Sequence, residues 1–309
     1  MQRNNFTEVT EFIFFGFSSL GKHRIILFVI FLIIYILTLA SNIIIVTIIY
    51  IEHHLHTPMY FYLSTLASSE TVYTLIIIPR MLSSLIFHKQ PISLGGCATQ
   101  MFFFVTLATN NCFLLAAMAY ERFVAICKPL RYTVIMSKGM CAQLVCGSFG
   151  TGLAMAILQV TAMFNLPFCG TVMEHFFCDI YSVMKLSCID TTINEIITYG
   201  VSSFVIFVTV CLNFISYVLI ISSILMIASA EGRKKTFTTC ASHLTVVIVH
   251  YGCASIAYLK PKSENSVDKD LLLSVTYIII TPLLNPVIYS LRNKEVKDAL
   301  CRAVSRNVS

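Results

Sequence analysis

Few charged side chains interrupt the long apolar stretches of this sequence, so those that do are the first candidates for chemistry. Glu121 and Arg122 adjoin at the end of one such stretch, while Glu70, Asn285 and Pro286 lie within others. An arginine at the edge of hydrocarbon is costly unless paired or wetted, and the neighbouring carboxylate can hold it by a charge-assisted hydrogen bond. Glu121 and Arg122 thus read either as a releasable latch or as a plain anchor for a helix end. Proline at 286 removes an amide hydrogen and clashes with the preceding turn, so a helix carrying Asn285-Pro286 should bend beside a polar side chain. A carboxylate inside an apolar segment is a functional candidate by default. Glu70 is such a candidate, or else a neutral, hydrogen-bonded side chain with a structural role.

Hydrolytic and metal chemistry find little support. Glu70, His243 and His250 make no paired-carboxylate, His-Glu-x-x-His or nucleophile-with-base set. The run His175-Phe176-Phe177-Cys178-Asp179 contains the ligand types a divalent ion takes, but a disulfide at Cys178 would withdraw its sulfur. His53, His54 and His56 fit a solvated loop equally well. No enzymatic activity, resident metal or cofactor is expected.

The elements that must position these residues are membrane spans. The 309 residues are 57% hydrophobic and 12% charged, with a mean hydropathy of +0.82, against roughly 25% charged in soluble domains. About 20 apolar residues in helix cross the hydrocarbon, because backbone groups in lipid must be bonded within the segment. Seven stretches qualify: Ile25 to Ile49, Pro58 to Phe87, Ala98 to Arg122, Cys141 to Leu166, Ile196 to Ile227, Phe237 to Leu259, and Leu271 to Leu291. The expected fold is an all-α membrane protein, a seven-transmembrane helix bundle.

Three regions follow: an extracellular N-terminal tail over 1–24, the bundle over 25–291, and a cytoplasmic tail over 292–309 that carries a short amphipathic helix. The tail before the first span has no apolar core followed by a small-residue cleavage site, which argues against a cleaved signal peptide. With the N-terminus outside, Lys and Arg are in excess on the inner face, around Arg122, Arg131, Lys234 and Lys294. The formal charge of +6 then needs no nucleic-acid partner, since basic residues face the cytoplasmic membrane surface. Asn5-Phe6-Thr7 is a glycosylation sequon on the outer side. Of the 12 cysteines, Cys97, Cys169, Cys178 and Cys188 fall outside, where the compartment is oxidising. Three pairings are open to them.

The strings at the inner edges are specific in combination. They are Leu55-His56-Thr57-Pro58-Met59-Tyr60-Phe61, Met118-Ala119-Tyr120-Glu121-Arg122-Phe123-Val124-Ala125-Ile126-Cys127, Ser216-Tyr217, Lys235-Thr236-Phe237-Thr238-Thr239-Cys240-Ala241-Ser242-His243-Leu244, and Pro282-Leu283-Leu284-Asn285-Pro286-Val287-Ile288-Tyr289-Ser290-Leu291-Arg292-Asn293. From Asn5 to Asn293 the chain resembles the vertebrate olfactory receptors of the rhodopsin-like G-protein-coupled superfamily. Two departures stand out. Glu121-Arg122-Phe123 replaces the usual Asp-Arg-Tyr, and the span-two acid is Glu70 instead of Asp. Tyr251 stands where many rhodopsin-like receptors carry an indole, and the chain has no Trp.

The resemblance implies a Cys97–Cys178 disulfide, leaving Cys169 with Cys188. It implies roles in activation and G-protein coupling for Glu121, Arg122, Tyr217, His243, Asn285, Pro286 and Tyr289, and a polar cluster of Glu70 and Asn285 between spans two and seven that can hold sodium. It also implies an odorant cavity near Phe104, Val105, Ala108, Thr109 and Cys112 of span three, Val201, Ser202 and Val205 of span five, Tyr251, Ala254, Ser255 and Tyr258 of span six, and Val275 and Ile278 of span seven. Phe104, Ala108 and Cys112 recur every four residues and can share a helix face. No acid lies in the outer half of span three and no lysine in span seven, so neither an amine counter-ion nor a retinal Schiff base is available. The expected ligand is a small, neutral, mostly apolar odorant. The expected partner is a heterotrimeric G protein of the olfactory, cAMP-raising type, at the plasma membrane. A transporter is the rival reading, but the internal repeats and doubly broken helices of that class are not apparent.

Overall fold

The computed structural model describes residues 9–15, 24–87, 90–227, 229–259, 274–292, 296, 298–299 and 301–302. Helices α1 (Arg24–Ile51), α2 (Pro58–Ile86) and α3 (Leu94–Cys127) come first; a short α4 (Tyr132–Ile135) leads to α5 (Lys138–Phe164), and a short α6 (Ile180–Met184) to α7 (Thr192–Leu225) and α8 (Ala230–Tyr258). The six long helices are each long and apolar enough to cross a bilayer. A π-helical stretch over Thr276–Ile280 then runs into α9 (Thr281–Arg292), which with it supplies the seventh element of the bundle. The expected start of that span, Leu271, lies outside the described residues.

The helix ends follow local chemistry more closely than hydropathy. The third helix continues past the expected Arg122 to Cys127, because hydropathy marks the hydrocarbon and not the helix. It stops where Lys128, bent out of the helical region before Pro129, ends the ladder. The sixth long helix starts at Ala230 and not at Phe237, with Ser229 Oγ accepting from the Gly232 amide at 3.2 Å as its N-cap. At α7, Asp190 accepts from the Thr192 amide and hydroxyl at 3.0 and 2.7 Å, moving the start to Thr192. Those hydrogen bonds hold the exposed Asp190 carboxyl below its ordinary range.

Helix α3 is the central column: 78% of its apolar window is buried, against 17% for α1, where Ile25, Ile33 and Ile36 are exposed while Ile45, Ile48 and Ile49 pack inward. It packs closely on α5, where a Cβ at Gly152 would collide with the Thr106 carbonyl oxygen.

One end of the bundle carries a feature beyond the helices. Strand β1 (Glu11–Phe14) lies between β2 (Gln90–Ser93) and β3 (Val172–Met173), antiparallel to the first and parallel to the second. Phe12 and Phe14 point inward by the two-residue period of a strand and are fully buried. Disulfides Cys97–Cys178 and Cys169–Cys188, with Cα separations of 5.5 and 5.2 Å, tie the same end. Cys178 is therefore not a metal ligand. At the opposite end Val296 and Ala299, both in helical conformation, are buried in a cluster with Leu55, Tyr62 and Leu63. The rest of the expected tail helix lies largely outside the described residues, as does Asn5.

Candidate ligand cavity and inner-face switch

Just inside the disulfide-bearing end, a cavity opens between α3, α5, α7 and α8. Phe104, Val105, Ala108, Thr109 and Cys112 present one face of α3 to it, the stripe that a four-residue spacing generates. Val201, Ser202, Val205 and Ile206 face them from α7, Ala254 and Tyr258 from α8, Gln159 from α5, Ile180 from α6 and Tyr277 from the π-helical stretch. None of these carries a charge.

Of the residues expected here, Tyr251, Ser255, Val275 and Ile278 do not line the cavity. Tyr251 sits beneath it, and Ile278 is buried in the surrounding core. Gln159, Ile180, Ile206 and Tyr277 are lining residues that the sequence reading missed. Gln159 had a signal, being a polar residue in mid-span. Tyr277 depends on the π-helical turn, which shifts its phase and which no helical periodicity anticipates.

The roof is set by the Cys97–Cys178 bond. Gln100 accepts from the Cys178 amide at 3.0 Å and donates to the Ile76 carbonyl at 3.2 Å, joining the loop to α2 and α3. Phe177 then packs on Phe104 with ring centroids 5.2 Å apart, and Tyr258 lies 6.2 Å from Phe104 on the other side. Nearby, burial foremost and then the charge of Asp179 push the Tyr181 phenol up to about 12. It therefore remains a neutral donor, reaching the Tyr258 carbonyl at 3.5 Å.

Beneath the cavity the contacts become polar. Tyr251 donates to the Cys112 carbonyl at 2.7 Å and accepts from Asn213 Nδ2 at 3.4 Å, tying α3, α7 and α8 at one point. Ser69 donates to Asn111 Oδ1 at 2.6 Å and accepts from Asn110 Nδ2 at 3.3 Å, and Asn285 donates to Glu70. Asn42 donates to the Pro282 carbonyl at 3.2 Å, fastening α1 to the seventh element. The second oxygen of Glu70 and the side-chain oxygen of Asn110 have no partner among the described residues.

At the far end of α3, Glu121 Oε2 lies 3.1 Å from Arg122 Nε. The hydrogen bond that Glu121 accepts comes from elsewhere: Tyr132 of α4 donates to its Oε1 at 2.6 Å. Tyr132 was not among the expected residues, since it lies in a polar connection with no periodicity to mark it. Phe123, which replaces a tyrosine, has Lys128 Nζ 5.6 Å from its ring centroid, a cation–π contact. Across the same face Tyr217 of α7 and Nδ1 of His243 of α8 are 2.6 Å apart with rings nearly parallel, and Tyr217 also donates to the Cys240 carbonyl. Pro286 lies inside α9, which continues through it to Arg292. The Tyr289 side chain lies outside the described residues.

A family model described as olfactory receptor matches residues 31–307. The chain belongs to the olfactory receptor family. It is 82% identical over 309 residues to Olfactory receptor 10J5 of Homo sapiens and of Mus musculus, covering all of both chains in each comparison. To Olfactory receptor 10J1 of Homo sapiens it is 68% identical over 309 residues, covering 97% of that protein. The receptor is thus a rhodopsin-like G-protein-coupled membrane protein and not an enzyme. Its polar contacts outside the cavity lining include Tyr251 with Asn213, Glu70 with Asn285, and Glu121 with Arg122.

Proposed function

We propose that this olfactory receptor takes a small, neutral, mostly apolar odorant into the cavity beside Phe104, Ala108 and Tyr258 and activates the olfactory, cAMP-raising G protein. The observation that carries the reading is the uncharged lining: burying a protonated amine there would leave its charge unpaired, at a cost of several kcal/mol. Thr109, Ser202 and Tyr258 supply hydroxyls to orient one polar group, as apolar ligand sites usually do. In this reading the N-terminal region over 1–24 and the disulfides face the extracellular side, the bundle spans 25–291 and the tail over 292–309 faces the cytosol.

Activation is a population shift, so the odorant must bind one arrangement better than the other. Side chains moved by a ligand beside Cys112 disturb Tyr251, which bonds the backbone there and joins α7 to α8. Parting of α8 from α7 separates Tyr217 from His243 and frees Arg122 for the G protein. Glu70 and Asn110, each with a buried oxygen that has no partner among the described residues, suit a small hard cation such as sodium, which takes oxygen ligands, and such an ion would hold the inactive arrangement. Ligand-driven cAMP in cells supplied with the olfactory G protein tests the assignment. A concentration-dependent rise supports it, and ion flux without cAMP supports a channel or transporter.

A further inference from the structure

Cys112 is the deepest α3 residue in the cavity wall, and its sulfur lies 3.4 Å from Nε2 of His250. Both side chains are buried, and Nδ1 of His250 has no partner among the described residues. In the tautomer protonated on Nδ1, Nε2 is an acceptor aimed at the thiol. A nucleophile that lines the cavity, with a base within hydrogen-bond reach, is an arrangement that can activate a thiol.

We propose that the Cys112–His250 pair is a covalent capture site for small α,β-unsaturated carbonyl compounds. The proposal rests on the cavity being the odorant site and names a ligand class for it. Thr109 lies one turn above Cys112 on the same face, where its hydroxyl can donate to the ligand carbonyl and draw electron density from the β-carbon. As the carbon–carbon π bond opens, the sulfur forms a bond to the β-carbon and the thiol proton passes to Nε2. The imidazolium returns that proton to the α-carbon, leaving a saturated thioether and no net oxidation or reduction. A free thiolate would be costly in this apolar wall, so proton transfer must accompany bond formation, and the imidazole is required. The saturated counterpart of such a ligand binds only reversibly.

The test is site-resolved mass spectrometry of the full-length receptor in membranes treated with cyclohexenone. Cys112 should gain one reagent mass, as should the exposed Cys301, while Cys141 and Cys240, buried elsewhere, should not. His250→Phe should slow labelling of Cys112 by roughly a hundredfold, the lower range for a general base, and leave Cys301 unchanged; His250→Gln serves if the phenylalanine variant is not produced. Cys112 unlabelled while Cys301 reacts, or labelled no faster than Cys141 and Cys240, overturns the proposal from wild-type protein alone. An unchanged Cys112 rate without His250 overturns it as well. Failure of the cavity reading appears differently: Ala108→Phe would then leave the Cys112 rate unaltered, whereas entry through the cavity requires it to fall.

Discussion

Tyr132 donates its phenolic hydrogen to Glu121 Oε1 at 2.6 Å, while the other carboxylate oxygen faces Arg122 Nε at 3.1 Å. Glu121 is buried, so these two neighbours share the task of satisfying it. Burial first, and then the hydrogen bond to Glu121 and its charge, hold the Tyr132 phenol above its ordinary range, so it stays a neutral donor at physiological pH. Removing the hydroxyl by Tyr132→Phe takes away a bond worth about 1.5 to 3 kcal/mol to a charged acceptor and loosens the carboxylate that restrains Arg122. Basal cAMP should rise several-fold at unchanged surface level, and a basal level equal to wild type would contradict this.

Arg122→Ala should abolish ligand-driven cAMP and leave surface delivery largely intact, because in the proposed mechanism it removes the group that engages the G protein, and it removes no packed core. Flow cytometry of the surface receptor beside the cAMP assay separates the two effects. Retained signalling would remove Arg122 from the coupling mechanism.

The covalent tie at the cavity roof should be needed for delivery. Cys97→Ser or Cys178→Ser loses a link typically worth about 2 to 4 kcal/mol and also frees the loop that brings Phe177 onto Phe104. Surface expression should fall for either variant, and mass mapping of wild type should find these thiols bonded to each other.

Gly152→Ala is a purely steric test of the α3–α5 contact. The added Cβ meets the Thr106 carbonyl oxygen, backbone that cannot swing aside, and overpacking of this kind costs about 1 to 3 kcal/mol. Surface yield should drop and thermal inactivation of the solubilised receptor should come at lower temperature. Gly147→Ala, with open space around it, should do neither.

The long helices were legible in the sequence because lipid imposes one rule on every span, and Ile25 to Ile49 or Ala98 to Arg122 can obey it only as helix. Their ends were not, since Pro129, Ser229 and Asp190 act through turns and caps that hydropathy averages away. The β-sheet was missed although Phe12 and Phe14 alternate correctly, because its partners at 90–93 and 172–173 are remote in sequence. The α3 stripe of Phe104, Ala108 and Cys112 could be read from spacing alone. Tyr132, Tyr277 and the Cys112–His250 contact could not, as each depends on how separate elements meet.

The account stands most directly on ligand response in two cavity variants, Ala108→Phe and Thr109→Val, measured as cAMP dose-response curves for a panel of alcohols, aldehydes, esters and amines. Enlarging Ala108 takes up volume in the cavity and should remove the response to bulky neutral agonists at normal surface level. Thr109→Val keeps the volume and removes one hydroxyl, so for agonists that use it the effective concentration should rise several-fold, about 1 kcal/mol, with the maximal response kept. A preference for protonated amines, or indifference to Ala108→Phe, would contradict the placement of the odorant in this cavity.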